Sequence, residues 1–255
     1  MGRIYSIIDQ HVKIMYFRFP VKVHSKMHRH MKKILITFFT FLILVSCNHY
    51  RFEKLIMEAD TAYDQGDYKK EIALLSEALE IKPDYLFGLN NRAWSNLAIG
   101  DTCSAMNDFN TIIERDSSCS SGYYGRGWLR AKLKEYKLAL VDFNKALQIL
   151  GDGPLILTNV SNNFLDENIK KPTANYNDLY FWKGFVQYYL KNYKSSFECL
   201  SYGINNDNSY LADSYYYRAF IYYNTGQKEK GCKDLENAMK FGLKEAYGDY
   251  KRMCK

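Results

Sequence analysis

The feature that most constrains the fold is a sequence period of 34 residues. Two independent series keep this step: the small residues Ala59, Ala93 and Gly127, and the large apolar residues Leu75, Phe109 and Phe143. Self-similarity at this length is typical of arrays in which one supersecondary unit stacks on the next. The period therefore predicts a repeat array rather than a single globular core.

Two further copies follow after an interruption. Gly184 and Ala219 continue the small-residue series with a spacing of 35, whereas the step from Gly127 to Gly184 is 57 residues, which is one period plus 23. The extra residues are placed in an insertion at 152–176, whose turn-forming composition predicts a loop over one edge of the array. Its adjacent acids, Asp166 and Glu167, are expected to be solvated, and no metal site is predicted.

Each copy contains helix-breaking residues at the places expected for two successive helices. In the first copy, Gly66-Asp67 breaks one apolar period and Pro83-Asp84 ends the next. The segments "AYDQGDYKKEIALLSEALEIKPD" and "GRGWLRAKLKEYKLALVDFNKAL" resemble the tetratricopeptide repeat family. The resemblance implies an all-α fold, an α-solenoid of about five helix-turn-helix repeats with a C-terminal capping helix. Repeats 1–3 are assigned to 51–151, repeats 4 and 5 to 177–242, and the cap to 243–255.

The N-terminal region carries a targeting pattern. Lys32 and Lys33 precede an apolar run from Ile34 to Val45, which at about 1.5 Å per residue is too short to span a bilayer comfortably. The end at Cys47 resembles the lipobox of bacterial lipoproteins. We therefore expect 31–46 to be a signal peptide, Cys47 to be lipidated, 47–50 to be a tether, and 1–30 to be disordered upstream sequence from a mis-assigned start. A short buried helix and an uncleaved anchor are the alternatives.

Charge and histidine usage limit the function of the remaining chain. The formal net charge is +7, and residues 1–46 carry that entire excess, so the repeat region is balanced and no nucleic-acid partner is expected. Beyond His49 the chain has no histidine, which removes the commonest general base and metal ligand. We predict a protein that is not an enzyme and has no cofactor.

A row of aromatic residues is predicted to form the binding site. By resemblance to the family, the first helix of each repeat lines the concave side of the array. The aromatics on that side are Trp94, Tyr124, Trp128, Phe181, Phe185, Tyr188, Tyr216, Phe220 and Tyr223. Aromatic faces give a large contact area at low rotamer cost, which suits a peptide or the face of a sugar. Packing between helices is the alternative interpretation of this row.

The predicted function is a non-catalytic protein–protein interaction scaffold of the bacterial cell envelope. Its expected partner is a peptide or protein, and its expected membrane contact is a lipid on the outer or cytoplasmic membrane with the array facing the periplasm. A lipoprotein that captures a small molecule or glycan is the alternative. In some family members lysine and asparagine hold a partner's carboxylate, and Asn90, Asn91 and Lys132 are the nearest candidates here.

Two further sets of residues have predicted partners. The basic row Arg92, Arg126, Lys183 and Arg218 directly precedes the small residues and is expected to pair with Asp108, Asp142 and Asp234, with binding of a phosphate or sulfate ligand as the alternative. Cys232 lies on the last repeat and Cys254 near the end of the cap, so these two cysteines are predicted to meet in a disulfide.

Overall fold

The computed structural model describes residues 25–151, 172–206 and 209–255, so residues 1–24 of the predicted upstream segment and most of the insertion lie outside the described residues. Residues 25–30, which were predicted to be disordered, are helical. The described residues form eleven helices and no strand, which confirms the all-α prediction. The helices are α1 Ser25–Asp64, α2 Tyr68–Ile81, α3 Leu86–Ala98, α4 Thr102–Arg115, α5 Ser120–Lys132, α6 Tyr136–Leu150, α7 Tyr176–Tyr189, α8 Tyr193–Asn205, α9 Leu211–Asn224, α10 Lys228–Lys240 and α11 Ala246–Cys254. The chain divides into two compact units at Glu53, and the repeats occupy Lys54–Lys255.

The turns between paired helices follow from Gly-Asp steps in the sequence. Gly66 adopts φ = 72° and Gly100 φ = 85°, a left-handed conformation that glycine reaches without a steric penalty. The aspartate that follows each glycine then caps the next helix. Asp67 accepts a hydrogen bond from the backbone N–H of Lys70, and Asp101 accepts one from Ser104. These local choices end one helix and start the next at the predicted places.

Small residues allow the paired helices to approach closely, as predicted. A Cβ atom added at Gly127 would lie 2.9 Å from a ring carbon of Phe143, and one added at Gly184 would lie 2.9 Å from Cγ of Leu200. Phe143 and Leu200 are fully buried. The 34-residue series therefore marks the crossing of the two helices of each repeat, where bulk would separate the pair.

Within the array, the first helices of neighbouring repeats contact one another: α3 contacts α5, α5 contacts α7, and α7 contacts α9. At the C-terminal end α11 packs on α10 and covers the last apolar face. Cys232 and Cys254 are joined by a disulfide that ties this cap to the last repeat.

The end of the insertion is packed against the third repeat. The carbonyl of Pro172 accepts a hydrogen bond from the buried Cys119 thiol at 3.3 Å, and the backbone N–H of Ala174 donates to Ser120 Oγ at 3.0 Å. The chain therefore returns to the array at Pro172, before α7 begins.

The predicted lipidation site lies within α1. Cys47 is exposed and unpaired, and the proposed cleavage point falls inside this helix. In the part of the chain that the structure describes, no helix has both the length and the apolar character needed to cross a bilayer.

Candidate binding groove

A continuous series of ring contacts crosses the first helices of repeats 2 to 5. The ring centroids of Trp94 and Trp128 are 5.4 Å apart, those of Trp128 and Trp182 5.8 Å, and those of Trp182 and Phe185 5.2 Å. Phe185 then meets Tyr217 at 5.0 Å. We call these five residues the aromatic strip. Their separations and edge-to-face angles are those of favourable aromatic pairs.

The strip forms because the period places equivalent residues on the same helix face. Trp94, Trp128 and Phe185 each directly follow the small residue of their repeat. The small residue faces the second helix of its own repeat, so the next side chain turns toward the neighbouring first helix. Close contact between first helices then brings the rings of successive repeats together.

One cation and one carboxylate stand beside the strip. The Lys132 ammonium lies 5.2 Å from the Trp128 ring and 5.0 Å from the Trp182 ring, a cation–π arrangement. Burial raises the pKa of Asp213 above its ordinary value, the charge of Glu245 adds to this, and Lys132 opposes it. Burial also raises the pKa of Tyr217, together with a hydrogen bond to Tyr189 and the charge of Asp213. The groove thus combines aromatic faces with both signs of charge.

Asn90 adds an unmet hydrogen-bond acceptor to this face. It lies four residues before Trp94 on α3, which places both on one side of the helix. Its side-chain N–H donates to Asn91 Oδ1 at 3.4 Å, whereas Asn90 Oδ1 is buried and has no donor among the described residues. An unsatisfied buried acceptor is costly, so this amide lowers the stability of the packing around α3.

Most of the predicted groove residues keep part of their surface open. Those that are half-buried or exposed are Trp94, Tyr124, Trp128, Phe185, Tyr188, Tyr216, Phe220 and Tyr223. The Tyr124 ring lies 6.0 Å from that of Trp94, and burial raises the pKa of its hydroxyl. These residues can contact a ligand without a change in the fold.

Three of the predicted residues make structural contacts. Phe181 is 2% exposed and stacks on Tyr210 at 4.5 Å, so its assignment to an open groove was wrong. The Tyr216 hydroxyl donates to Asp249 of α11 at 2.7 Å, and Phe220 packs in the cluster under the same helix. The capping helix α11 therefore contacts these two residues of the fifth repeat.

The sequence prediction missed Tyr189 and Tyr217, and it also missed Trp182, which is 4% exposed and supports the open rings of the strip from within the core. Trp182 and Tyr217 directly precede the basic residue of their repeats, a position that was not included in the groove rows. Tyr189 stacks on Tyr136 at 4.8 Å and is 44% exposed. A signal was present, because Trp182 and Tyr217 are separated by the same 35 residues as Gly184 and Ala219.

A family model matches one part of the array directly. The model, described as tetratricopeptide repeat, matches residues 55–85, which cover the end of α1 and all of α2. The later helix pairs repeat the same helix-turn-helix unit. Within the described residues of the array, no three His, Cys, Asp or Glu side chains are grouped to hold a metal ion.

Solved tetratricopeptide repeat structures share the array. MamA 41-end from Desulfovibrio magneticus RS-1 has a TM-score of 0.58 and 12% identity, with 77% of this chain and 96% of that chain covered. YrrB, described as a TPR protein with an unusual peptide-binding site, has a TM-score of 0.54 and 16% identity, with 77% and 90% covered. At these identities the likeness shows the fold alone.

Serine/threonine-protein phosphatase 5 is similar over a shorter stretch. The Homo sapiens and Rattus norvegicus proteins are each 27% identical over 99 residues, which is 39% of this chain and 20% of the phosphatase. The chain thus matches about a fifth of the length of these curated relatives.

Proposed function

We propose that this tetratricopeptide repeat protein is a non-catalytic scaffold that binds an extended peptide segment of a protein partner along its aromatic strip. The observation that carries the proposal is the unbroken ring series across the first helices of four successive repeats. Such a surface offers large, rigid contact area to apolar side chains at low entropic cost.

The polar groups beside the strip suit a peptide. Lys132 and Asp213 provide one charge of each sign, which fits a segment that carries both an acidic and a basic group. The fold likeness to YrrB, whose structure is described by its peptide-binding site, supports the same class of ligand.

The absence of histidine beyond His49 supports a binding role rather than a catalytic one. Nearly all of the array lacks the side chain that most often acts as a general base near neutral pH. The similarity to phosphatase 5 covers only 20% of that enzyme, so it does not carry the enzyme's activity to this chain.

A peptide array distinguishes binding in the groove from nonspecific apolar binding. The full chain is compared with Tyr189→Ser, Lys132→Glu and the matched control Val141→Ser, which alters an exposed apolar residue on α6 outside the strip (63% exposed). Peptides with aromatic and apolar residues are expected to bind. Loss of one buried contact or one charge-assisted bond corresponds to roughly tenfold weaker binding in the two groove variants.

The result that contradicts peptide binding is equal retention of peptides by all four proteins. Trp128→Ala provides a third groove variant, and its circular dichroism and melting profile establish that the array remains folded. A parallel glycan array tests the alternative ligand class: glycan binding that is lost in Tyr189→Ser, without peptide binding, replaces the peptide proposal.

We also propose that Cys47 anchors the protein to a membrane of the cell envelope. The support is the positive flank, the short apolar run and the exposed cysteine at its end. The disulfide between Cys232 and Cys254 fits an oxidising compartment. Incorporation of radiolabelled palmitate in the parent and its loss in Cys47→Ser test this proposal; a soluble mature protein without lipid contradicts it.

A further inference from the structure

A basic residue bridges three helices in repeats 2, 3 and 5. In repeat 3, Arg126 donates two hydrogen bonds to Asp142 of the same repeat, at 3.0 and 2.7 Å, and a third to Asn110 of the preceding repeat at 2.9 Å. The same triad recurs as Arg92 with Asp108 and Ser76, and as Arg218 with Asp234 and Ser201.

Repeat 4 keeps the positions of this triad but changes its chemistry. Lys183 stands where the other repeats have arginine, and Cys199 lies the same sixteen residues later, where they have aspartate. Asn144 of the preceding repeat occupies the third position, 34 residues after Asn110. Lysine is shorter than arginine and a thiol replaces the carboxylate, so the side chains fill less of the available volume.

A recess of about 510 Å³ opens at the altered triad, between α6, α7 and α8. Its lining includes all three triad members, Asn144, Lys183 and Cys199, together with Gln187, Tyr180 and Tyr202. The space is large enough for a small organic molecule or the end of a side chain from a partner.

The lining is rich in hydrogen-bond donors. Lys183 contributes an ammonium, and Asn144 contributes an amide. Gln187 already accepts a bond from Asn192 through Oε1, so its NH₂ group is the part left to donate. Burial raises the pKa of the Cys199 thiol to about 11, which keeps it neutral near pH 7, so Cys199 does not balance the charge of Lys183 as aspartate balances arginine in the other repeats.

We propose that this recess binds a carboxylate group, which takes the place of the aspartate present in the other repeats. The carboxylate belongs either to an acidic side chain of a partner or to a small free carboxylic acid. Lys183 supplies the charge, and the amides of Asn144 and Gln187 supply further donors. Glu198, an exposed acid at the edge of the recess, competes with the ligand rather than assisting it.

This site is separate from the aromatic strip. At about 100° per residue, the α7 residues of the recess lie on the opposite side of the helix from Trp182 and Phe185. The fourth repeat thus offers one face to a peptide and the other to a carboxylate. Failure of one proposal leaves the other standing, since different residues carry them.

Titration of the full chain with defined probes tests the proposal. The probes are acetate, N-acetyl-Gly-Glu-Gly-amide and its neutral control N-acetyl-Gly-Gln-Gly-amide, with inorganic phosphate as a competing anion. Binding is followed through the side-chain amide signals of Asn144 and Gln187 in nuclear magnetic resonance spectra. The expected result is saturable shifts with the two carboxylate probes and none with the glutamine peptide.

Variants connect binding to the altered triad. Lys183→Met is expected to weaken carboxylate binding about tenfold through loss of a charge-assisted bond. The double change Lys183→Arg with Cys199→Asp rebuilds the internal pair and is expected to abolish binding. Cys199→Ser, a matched control that keeps the space and adds no charge, and Glu198→Gln are expected to retain or tighten it.

The outcomes separate cleanly. Saturable shifts with acetate alone assign the site to a small free acid, and tighter binding of the glutamate peptide assigns it to a partner side chain. The proposal is overturned if neither carboxylate moves the Asn144 and Gln187 signals, if phosphate binds and carboxylates do not, or if the rebuilt Arg–Asp variant binds as well as the parent.

Discussion

Repeats 3 and 4 have equivalent positions separated by 57 residues, and they solve the same packing problem with different side chains. In repeat 3, buried Asp142 accepts from Arg126 and also from Arg130 at 2.6 Å. In repeat 4 the equivalent pair is Lys183 and Cys199. The close approach of the two helices is nonetheless the same in both repeats. A glycine on the first helix faces a large apolar residue on the second: Gly127 faces Phe143, and Gly184 faces Leu200.

The comparison teaches that the small-to-large contact defines the repeat, whereas the ion pair is replaceable. A repeat without the pair still places its two helices at the same crossing. Positions that keep the period therefore carry the fold. Positions that depart from it, such as Cys199 and Trp182, are where a ligand surface can develop without loss of the array.

The largest expected effect comes from removing the buried carboxylate of repeat 3. Asp142→Ala leaves two arginines facing an apolar seam and is expected to destabilise the array by about 3 kcal/mol. Cys199→Ala, the equivalent change in repeat 4, removes one sulfur beside an existing recess and is expected to cost about 1 kcal/mol. Urea unfolding of both variants measures the difference; equal losses would mean that the two seams contribute alike.

The next effect concerns Gly125, which is equivalent to Trp182 of repeat 4. A Cβ atom at Gly125 would lie 2.1 Å from a ring carbon of buried Phe109, so Gly125→Ala forces that ring to move and is expected to cost about 2 kcal/mol. Gly248→Ala on α11 is the control, because nothing lies within 4 Å of the new Cβ and alanine is the better helix former. The melting temperature should fall in Gly125→Ala and should not fall in Gly248→Ala.

The periodic part of the molecule could be predicted from the sequence, and the departures from the period could not. The series through Ala59, Ala93 and Gly127 indicates helix crossings directly, since only small residues fit there. The pairing of Arg126 with Asp142 was also predictable, because the long cation and the acid recur at fixed spacing. Where the repeat is regular, residues that recur at the repeat spacing make the same contacts between helices in each copy.

The binding surface was only partly predictable for a physical reason. Whether an aromatic ring lies open or buried depends on neighbouring elements that the period does not describe. Phe181 and Phe220 occupy groove rows, but Tyr210 covers the first and the cap covers the second. The recess at Lys183 could not be predicted, because the sequence places a basic residue there without indicating how much space its neighbours leave beside it.

Repeat 1 extends the comparison to a repeat in which an acid takes the place of the basic residue. Glu58 stands where the other repeats have a basic residue, and burial followed by the charge of Asp64 raises the pKa of Asp60 to about 6. Because the folded pKa exceeds the ordinary value of 3.8, the folded state binds more protons, and stability falls as pH rises from about 4 through about 6.

The variant Asp60→Asn tests the direction of this pH dependence. The variant is expected to be more stable than the parent at pH 7 by about 1 kcal/mol, a value reduced because the side chain is partly exposed to solvent. The advantage should vanish near pH 4. Melting temperatures of the two proteins across this range measure it, with Asp67→Asn as a control at an exposed helix cap. An advantage that grows toward low pH would contradict the predicted shift.

The smallest expected effect is the stability change when repeat 4 receives the pair of repeat 3. In Lys183→Arg with Cys199→Asp, the new ion pair gains charge-assisted hydrogen bonds, but the buried carboxylate loses hydration. The two terms nearly cancel, so the double variant should lie within about 1 kcal/mol of the parent in urea unfolding. A gain of several kcal/mol would mean that repeat 4 sacrifices stability for its recess. A near-zero change would mean that the Arg–Asp pairs of the other repeats mainly exclude ligands from the seam, and that their absence in repeat 4 costs the fold little.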